Sequence, residues 1–436
     1  MLPAPASPSD PLFARFFHGE ASGSVVLLGS ALIAIVWANS PSGASYYHLA
    51  HTPISISFGS SSFQLSLQHW INDLLMAVFF FVIGLEIKRE LVLGELSTLQ
   101  KAWLPVAAAA GGMLVPAAVY GVINAGGAGA SGWGVPMATD IAFAIGVLAA
   151  FGTRVPTGLK VFLAALAIAD DLGAVLVIAL FYSEGIRWGP LAAGAVLLLL
   201  TWLTTRTGVR RPGAFIGLAV LVWAAVTASN LHPTVAGVLL ALTIPVRSRR
   251  EPEAFLSGVH QRIETLRAQV LTPESSIANR DQREALRALQ RAASEMRPMG
   301  QSIEDYLHPA VAFVIVPLFA FLNAGVTVEA SVADTITKPV GLGIVLGLVL
   351  GKQFGIMLFS WLAVKSGRAA LPGRVTWSQI YGGACLAGIG FTMSLFVTDL
   401  AFPAEGLAAD AKLAILVASL VAALWGGGVL HMRLPR

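Results

Sequence analysis

Long apolar segments recur along nearly the whole chain and alternate with short polar connections. A helix needs about 20 apolar residues to cross a hydrocarbon core of about 30 Å. The pattern therefore predicts an all-α polytopic membrane protein with twelve transmembrane helices. The predicted spans are 24–39, 69–91, 102–124, 136–151, 157–182, 189–206, 212–229, 231–246, 308–327, 339–364, 377–399 and 408–432.

One external connection shows a different period. Residues 53–67 alternate polar and apolar positions on both sides of Gly59-Ser60-Ser61-Ser62, which is typical of a β-hairpin. Such a hairpin would present an edge for self-pairing, while an ordinary ordered loop is the alternative.

In the predicted inner loop 247–307, a charged segment after Asn279 has helical spacing. This segment favours a solvated helix over calmodulin-type or membrane-surface binding.

Composition supports membrane insertion. Of the 436 residues, 56% are hydrophobic and 12% are charged, whereas about a quarter are charged in soluble domains. The single cysteine, Cys385, excludes an intramolecular disulfide. The first apolar run follows Asp10, Arg15 and Glu20 rather than a short basic segment, which favours a retained first helix over a cleaved signal peptide.

The distribution of basic residues predicts the orientation. If both termini are cytoplasmic, 24 of the 28 basic residues fall on the inner side. Only Arg187, Lys338 and Lys412 are assigned to the outer side, and Lys352 lies inside a span. The positive-inside rule then makes 1–23 and 247–307 cytoplasmic and 42–68 external.

Two adjacent acids occupy the centre of a span. Asp170 and Asp171 lie midway along Val161 to Tyr182, where a charge costs at least roughly 2.5–3.5 kcal/mol. Their side chains diverge by about 100° on a helix, so they can face different partners. Desolvated neighbouring carboxylates bind protons readily, and their oxygens also suit sodium. Competition between the two ions is the minimal antiport mechanism, and a structural acid pair is the alternative.

Two glycine-rich or proline-rich interruptions lie in opposite halves of the chain. Residues 134–146 contain Thr139 and Asp140, and residues 382–394 are interrupted by glycines. Paired interrupted segments of this kind indicate the binding site of a secondary transporter. The glycines alone would also be explained by close helix packing, but the acid inside the first interruption favours function.

Lys352 lies at least twelve residues from either end of its span. Its ammonium group cannot easily reach an interface, so we expect it to pair with an intramembrane acid.

Near the inner end of the second span, Glu86, Arg89 and Glu90 share one helical face. They would either gather cations and respond to pH, or form a solvated helix end.

Together these residues resemble the NhaA family of bacterial sodium/proton antiporters. The resemblance is carried in order over nearly the full length by 79–91 (FFFVIGLEIKREL), 136–148 (PMATDIAFAIGVL), 167–173 (AIADDLG), 317–326 (PLFAFLNAGV), 350–355 (LGKQFG) and 388–394 (GIGFTMS). It implies an inner-membrane, electrogenic exchanger that exports sodium or lithium for more than one proton, is more active at alkaline pH, and serves pH and salt homeostasis. No cofactor or nucleic acid is expected.

The resemblance also implies an architecture. The third to fifth spans would form one repeat, and the tenth to twelfth its inverted copy, with broken helices crossing near the middle of the bilayer. A homodimer would be joined partly by the 53–67 hairpin.

Residue roles follow from the same resemblance. Asp170 and Asp171 would bind sodium and protons, with Asp171 favoured for the ion and Asp170 as the partner of Lys352. Asp140 and Thr139 would support the site beside the crossing. The residues expected to act in the pH response are Glu86, Arg89, Glu90, Glu304, His308 and His232, although a capping role is equally compatible with His232. This chain departs from the family pattern at Gln353 and in its long inner loop.

An intramembrane aspartyl protease and a sodium-coupled organic-anion symporter are the alternative functions. An intramembrane aspartyl protease takes its two acids from separate helices with Tyr-Asp and Gly-x-Gly-Asp motifs, which are missing at the acids of this sequence. A sodium-coupled organic-anion symporter would need a larger polar cavity than three carboxylates and one amine suggest. Sodium-dependent pH changes without an organic substrate would separate symport from antiport.

Overall fold

A computed structural model describes residues 22–58, 61–183, 185–207, 212–247, 287, 297–327, 332–373, 375–402 and 405–434. Most of the predicted cytoplasmic N-terminus and inner loop, including the helix expected there, lies outside these residues. Within them the chain is mainly helical. The helices are α1 Ser22–Ala38, α2 Gly43–Ala50, α3 Leu67–Val92, α4 Leu99–Ile123, α5 Ile141–Ala149, α6 Thr157–Phe181, α7 Trp188–Thr207, α8 Pro212–Ala228, α9 Pro233–Thr243, α10 Met299–Asn323, α11 Val332–Thr337, α12 Pro339–Lys365, α13 Trp377–Ala387, α14 Phe391–Ala401 and α15 Glu405–Arg433. A 3₁₀ segment, Ala130–Met137, precedes α5.

The described helices confirm a multi-pass membrane protein. Eight of them are long and apolar enough to cross a bilayer, if the 3₁₀ segment and α5 are taken together as 130–149. Two bent pairs, α1 with α2 and α13 with α14, raise the number to ten, and α8 and α9 are shorter apolar helices. Each predicted span contains a helix, but twelve crossings remain a prediction.

The helix of the ninth predicted span begins before that span. Helix α10 begins at Met299, inside the segment predicted to be a cytoplasmic loop. Its first turns carry Glu304 and Asp305 and are only partly buried, so the hydropathy pattern does not mark them. Pro298 directly precedes the helix, where the missing amide hydrogen of proline costs little.

Between α2 and α3, strands β1 (Pro53–Phe58) and β2 (Ser61–Ser66) pair antiparallel, with Ile54 opposite Leu65. The Trp70 indole nitrogen donates to the Ile54 carbonyl at 3.2 Å and ties β1 to the start of α3. The external position of this sheet and its use in self-pairing remain predictions.

Helices α4 and α12 pack with their backbones in contact. A β-carbon added to Gly111 would lie 2.2 Å from the Gly355 carbonyl oxygen, and one added to Gly355 would lie 2.1 Å from that of Gly111. Only glycine fits such an approach. Because Lys352 lies about one turn before Gly355, this contact brings the lysine into the protein core.

Both predicted interruptions are present. The chain is extended at Ala138 and Asp140, between the 3₁₀ segment and α5, and the second break covers 388–390 between α13 and α14. The two breaks lie against each other, because the Asp140 amide donates to the Ile389 carbonyl at 2.7 Å. In both halves a broken segment is flanked by long helices, α4 and α6 or α12 and α15. The inverted relation between the halves remains a prediction.

Replacing Gly355 with alanine should destabilise the protein by about 1–3 kcal/mol, because the new methyl group would overlap the α4 backbone. The melting temperature of the purified protein measures this effect. Gly121→Ala is the matched control, since a β-carbon at this α4 position meets nothing within 4 Å. An equal, small shift in both variants would contradict the close contact.

Candidate functional site

Asp140 joins the two broken segments. Its Oδ1 accepts a hydrogen bond from the Phe143 amide at 3.1 Å and thereby caps the N-terminus of α5. Its Oδ2 accepts from the amide of Thr392 at 3.1 Å and from the Thr392 hydroxyl at 2.5 Å, at the start of α14. A carboxylate between two helix N-termini is stabilised by both helix dipoles. Because both oxygens are bonded, Asp140 holds the crossing together.

Asp170 and Lys352 form an ion pair in the protein core. The Lys352 ammonium lies 2.8 Å from Asp170 Oδ2, and the two side chains are 0% and 1% exposed. Lys352 also donates to the carbonyl of Met137, the last residue of the 3₁₀ segment. The lysine therefore connects α12, α6 and the first break, and its partner is the acid that the sequence suggested.

Thr139 connects this ion pair to the second break. Its hydroxyl oxygen lies 2.6 Å from Asp170 Oδ2 and 3.0 Å from the carbonyl oxygen of Ala387, the last residue of α13. A hydroxyl carries one proton and can donate to only one of these acceptors at a time. A charged Asp170 carboxylate attracts that proton more strongly than a neutral carbonyl. The hydroxyl bond thus depends on the charge of Asp170.

Asp171 is buried beside the pair and has no lysine partner among the described residues. It is 1% exposed. In the described part of the chain, Oδ1 of Asp171 and Oδ1 of Asp170 accept no hydrogen bond. Buried polar atoms are normally bonded, so two free carboxylate oxygens call for an explanation. They are available to a proton or to a bound cation.

A second charged cluster lies where α3 meets α10. Arg89 Nη1 lies 2.5 Å from Glu304 Oε1, while Arg89 Nη2 lies 3.8 Å from a Glu86 oxygen and 3.9 Å from a Glu90 oxygen. The structure thus brings together four of the six residues expected in the pH response. Partial exposure of Arg89 and Glu86 limits what each pair contributes to stability.

Among the described residues, neither histidine forms an ion pair with this cluster. His308 follows Glu304 by one turn of α10 and is exposed. His232 precedes α9, and its Nδ1 lies 2.8 Å from the Thr234 hydroxyl and 3.4 Å from the Thr234 amide. This is the capping arrangement that the sequence left open for His232.

Several site groups were missed in the sequence. The hydroxyl of Thr392 and the carbonyls of Met137 and Ala387 were given no role. A hydroxyl residue directly after a glycine-broken segment was a usable signal for Thr392, because such residues bond at helix starts. Backbone carbonyls carry no sequence signal. The unusual Gln353 accepts a hydrogen bond from the Tyr381 hydroxyl at 3.1 Å.

These features define a class: a polytopic helical membrane protein whose charged site is buried where two broken helices meet. The family model for Na+/H+ antiporter 1 matches residues 14–430, and the chain belongs to this family. It is 46% identical to the Na(+)/H(+) antiporter NhaA of Oleidesulfovibrio alaskensis, over 97% of this chain and 93% of that protein. It is 44% identical to the NhaA of Rhodopirellula baltica, over 100% and 98% of the two chains, and 46% identical to NhaA 2 of Sorangium cellulosum, over 94% and 87%.

Replacing Lys352 with methionine should strongly destabilise the protein. It keeps a side chain of similar length but leaves the Asp170 carboxylate buried without its cation, which typically costs about 3–5 kcal/mol. The melting temperature should fall. Combining Lys352→Met with Asp170→Asn should recover part of the loss, because no unpaired charge remains. Strictly additive effects of the two substitutions would contradict the ion pair.

Proposed function

We propose that the protein is an electrogenic antiporter of the bacterial inner membrane, with both termini cytoplasmic, that exports sodium or lithium and imports more than one proton. The observation that carries the proposal is the buried Asp170–Lys352 pair beside Asp171, whose Oδ1 is unpartnered in the described residues. Intramembrane ionisable groups of this kind mark ion pathways and proton relays.

The charges explain how one site serves two ions. The Asp140 charge is stabilised by the two helix N-termini that it caps. With Asp171 ionised, the remaining two carboxylates, Asp170 and Asp171, and the Lys352 ammonium leave a single uncompensated negative charge in the core. One monovalent cation neutralises it, either a proton that forms the acid of Asp171 or a sodium ion held by carboxylate oxygens of Asp170 and Asp171. Because an unneutralised buried charge is costly, the two cations displace each other. Competition at Asp171 therefore couples sodium efflux to proton entry.

A second proton makes the exchange electrogenic. One sodium ion exchanged for one proton moves no net charge, whereas one sodium ion exchanged for two protons moves one charge. When sodium approaches Asp170, it competes with the Lys352 ammonium for the same carboxylate. A lysine deprived of its partner in a buried site favours its neutral form. The second proton then belongs to the coupled Asp170–Lys352 pair rather than to either residue alone.

The crossing provides the element that moves. The segments that meet at Asp140 are helix ends within the bilayer and not whole helices. A small rearrangement of these ends would open the site to one side of the membrane at a time. Asp140 keeps the two breaks together during this change. The Thr139 hydroxyl couples the charge of Asp170 to the end of α13, because its single proton can bond either to Asp170 or to the Ala387 carbonyl.

The Arg89 cluster is proposed to adjust activity to pH on the cytoplasmic side. It combines three acids, Glu86, Glu90 and Glu304, with one arginine, so it contains more acidic than basic side chains. Protonation of Glu304 would remove its ion pair with Arg89 and so loosen the contact between α3 and α10. His308, one turn from Glu304, and His232, next to α9, are assigned to the same response.

The protein is further proposed to form a homodimer through the sheet of β1 and β2. A two-stranded sheet has two edges with unpaired backbone groups, and an edge can pair with the same strand of a second copy. Anchoring of β1 by Trp70 would fix the orientation of that edge.

Replacing Asp171 with asparagine should abolish sodium-driven proton movement, because an amide neither binds a proton at neutral pH nor neutralises a cation. Dequenching of a pH-sensitive dye in everted vesicles, after addition of sodium, lithium or potassium, measures it. Asp334→Asn, at an exposed position on α11, is the control and should retain exchange. Full exchange by the Asp171 variant would refute the site.

The apparent KM for sodium should rise as the pH is lowered. Protons and sodium compete for the same oxygens, so each increase in proton concentration demands more sodium for half-maximal exchange. The same dye measurement, repeated across a pH series at several sodium concentrations, gives the KM. A KM independent of pH, with only the maximal rate changing, would mean that the two ions do not share a site.

A further inference from the structure

A large cavity opens on the side of the protein that carries β1 and β2. It has a volume of about 790 Å³ and is lined by parts of α2, α3, α10, α14 and α15. Its wall includes an ion pair outside the site already described, in which Lys412 Nζ lies 2.6 Å from Asp399 Oδ1. The cavity can hold a hydrated ion, because a water molecule occupies about 30 Å³ in the liquid.

The Asp399 carboxylate contacts Asn72, which belongs to a set of three hydrogen-bonded amide side chains on this wall. The Asn72 amide nitrogen lies 3.2 Å from Asp399 Oδ2 and 3.1 Å from Asn323 Oδ1. Gln68 donates to the same Asn323 oxygen at 2.8 Å, and Asn323 donates to Asn72 Oδ1 at 2.9 Å. Amides of this kind can turn their oxygens to a cation or their nitrogens to a carboxylate. The wall can therefore hold Asp399 with or without a cation.

Helix α14 connects this cavity to the crossing. Thr392, Phe396 and Asp399 are spaced by four and three residues and so share one helical face. Thr392 bonds to Asp140 at one end, and Asp399 lines the cavity at the other. Between them, Phe396 is buried against Phe80 and Phe319, with ring centroids 5.6 and 6.1 Å away. Phe396 therefore separates Thr392 from Asp399 along this face of α14.

We propose that Asp399 is a second cation subsite on the hairpin side and that Lys412 is its built-in counterion. A monovalent cation released from the Asp171 site binds the Asp399 carboxylate briefly, and the Lys412 ammonium then replaces it and favours its departure. The proposal rests on the antiport function proposed above. The hairpin side is the one that the charge distribution predicts to be external.

A second ion pair in the same region involves an exposed lysine and serves for comparison. Lys338 Nζ lies 2.8 Å from Asp410 Oδ2, and Asp410 shares α15 with Lys412. The Lys338 side chain is 50% exposed, against 13% for Lys412, and neither Lys338 nor Asp410 lines the cavity. This pair is the matched control.

The test compares sodium added to opposite faces of the membrane, in right-side-out and in everted vesicles, with proton movement followed by a pH-sensitive dye. Asp399→Asn should raise the KM for sodium added on the hairpin side by about two- to fivefold, the range of a partly exposed charge. Lys412→Met should lower it by a similar factor, because the carboxylate loses its competitor. Sodium added on the opposite face should show an unchanged KM in both variants. Asp410→Asn and Lys338→Met should leave both values unchanged.

If Asp399 is a subsite, Asp399→Asn and Lys412→Met change the KM in opposite directions. If the two residues form only a structural salt bridge, removing either partner changes the KM in the same direction. KM changes in the same direction in both variants, or equal KM changes for sodium on both membrane faces, would overturn the proposal. If Asp399→Asn does not accumulate, Lys412 decides: Lys412→Met must lower the hairpin-side KM, and Lys412→Arg must restore it. Absence of sodium-driven proton movement in the unmodified protein would instead refute the antiport function itself.

Discussion

The structure depends on one carboxylate that bonds to two helix ends. Asp140 accepts hydrogen bonds at the N-termini of α5 and α14, and its own amide bonds to the Ile389 carbonyl at 2.7 Å. Unsatisfied backbone groups are expensive inside a membrane, so breaks in helices persist only where other groups bond to them. Asp140 provides those bonds for both breaks at once. The carbonyls of Met137 and Ala387 consequently face the side chains of Lys352 and Thr139.

Around this crossing, burial sets the chemistry. The glycine contact between α4 and α12 holds their backbones together about one turn from Lys352, which is fully buried and paired with Asp170. Asp171 is then the buried acid without a basic partner among the described residues. In the proposed mechanism, the uncompensated negative charge of ionised Asp171 is unfavourable in the core. That charge is therefore neutralised by sodium and by a proton in turn. Asp399 and Lys412 repeat the combination of one acid and one lysine at the wall of the hairpin-side cavity, but in a less buried setting.

The sequence revealed the groups that violate the hydropathy pattern. Asp140, Asp170, Asp171 and Lys352 were conspicuous because a charge inside an apolar span is expensive, and the two breaks were visible as proline and glycine clusters. Backbone carbonyls and the partner of Lys412 were not predictable, since they depend on which segments meet in space. The polar start of α10 was missed for a related reason: a helix that continues beyond the apolar core has no hydropathy signal.

Proton release from the purified protein on addition of sodium tests the central claim, competition at Asp171, most directly. In a weakly buffered detergent solution containing a pH indicator, sodium should displace protons from the unmodified protein. Potassium should displace none, and the Asp171→Asn variant should release none with sodium. Sodium binding that leaves the proton count of the unmodified protein unchanged would contradict the account.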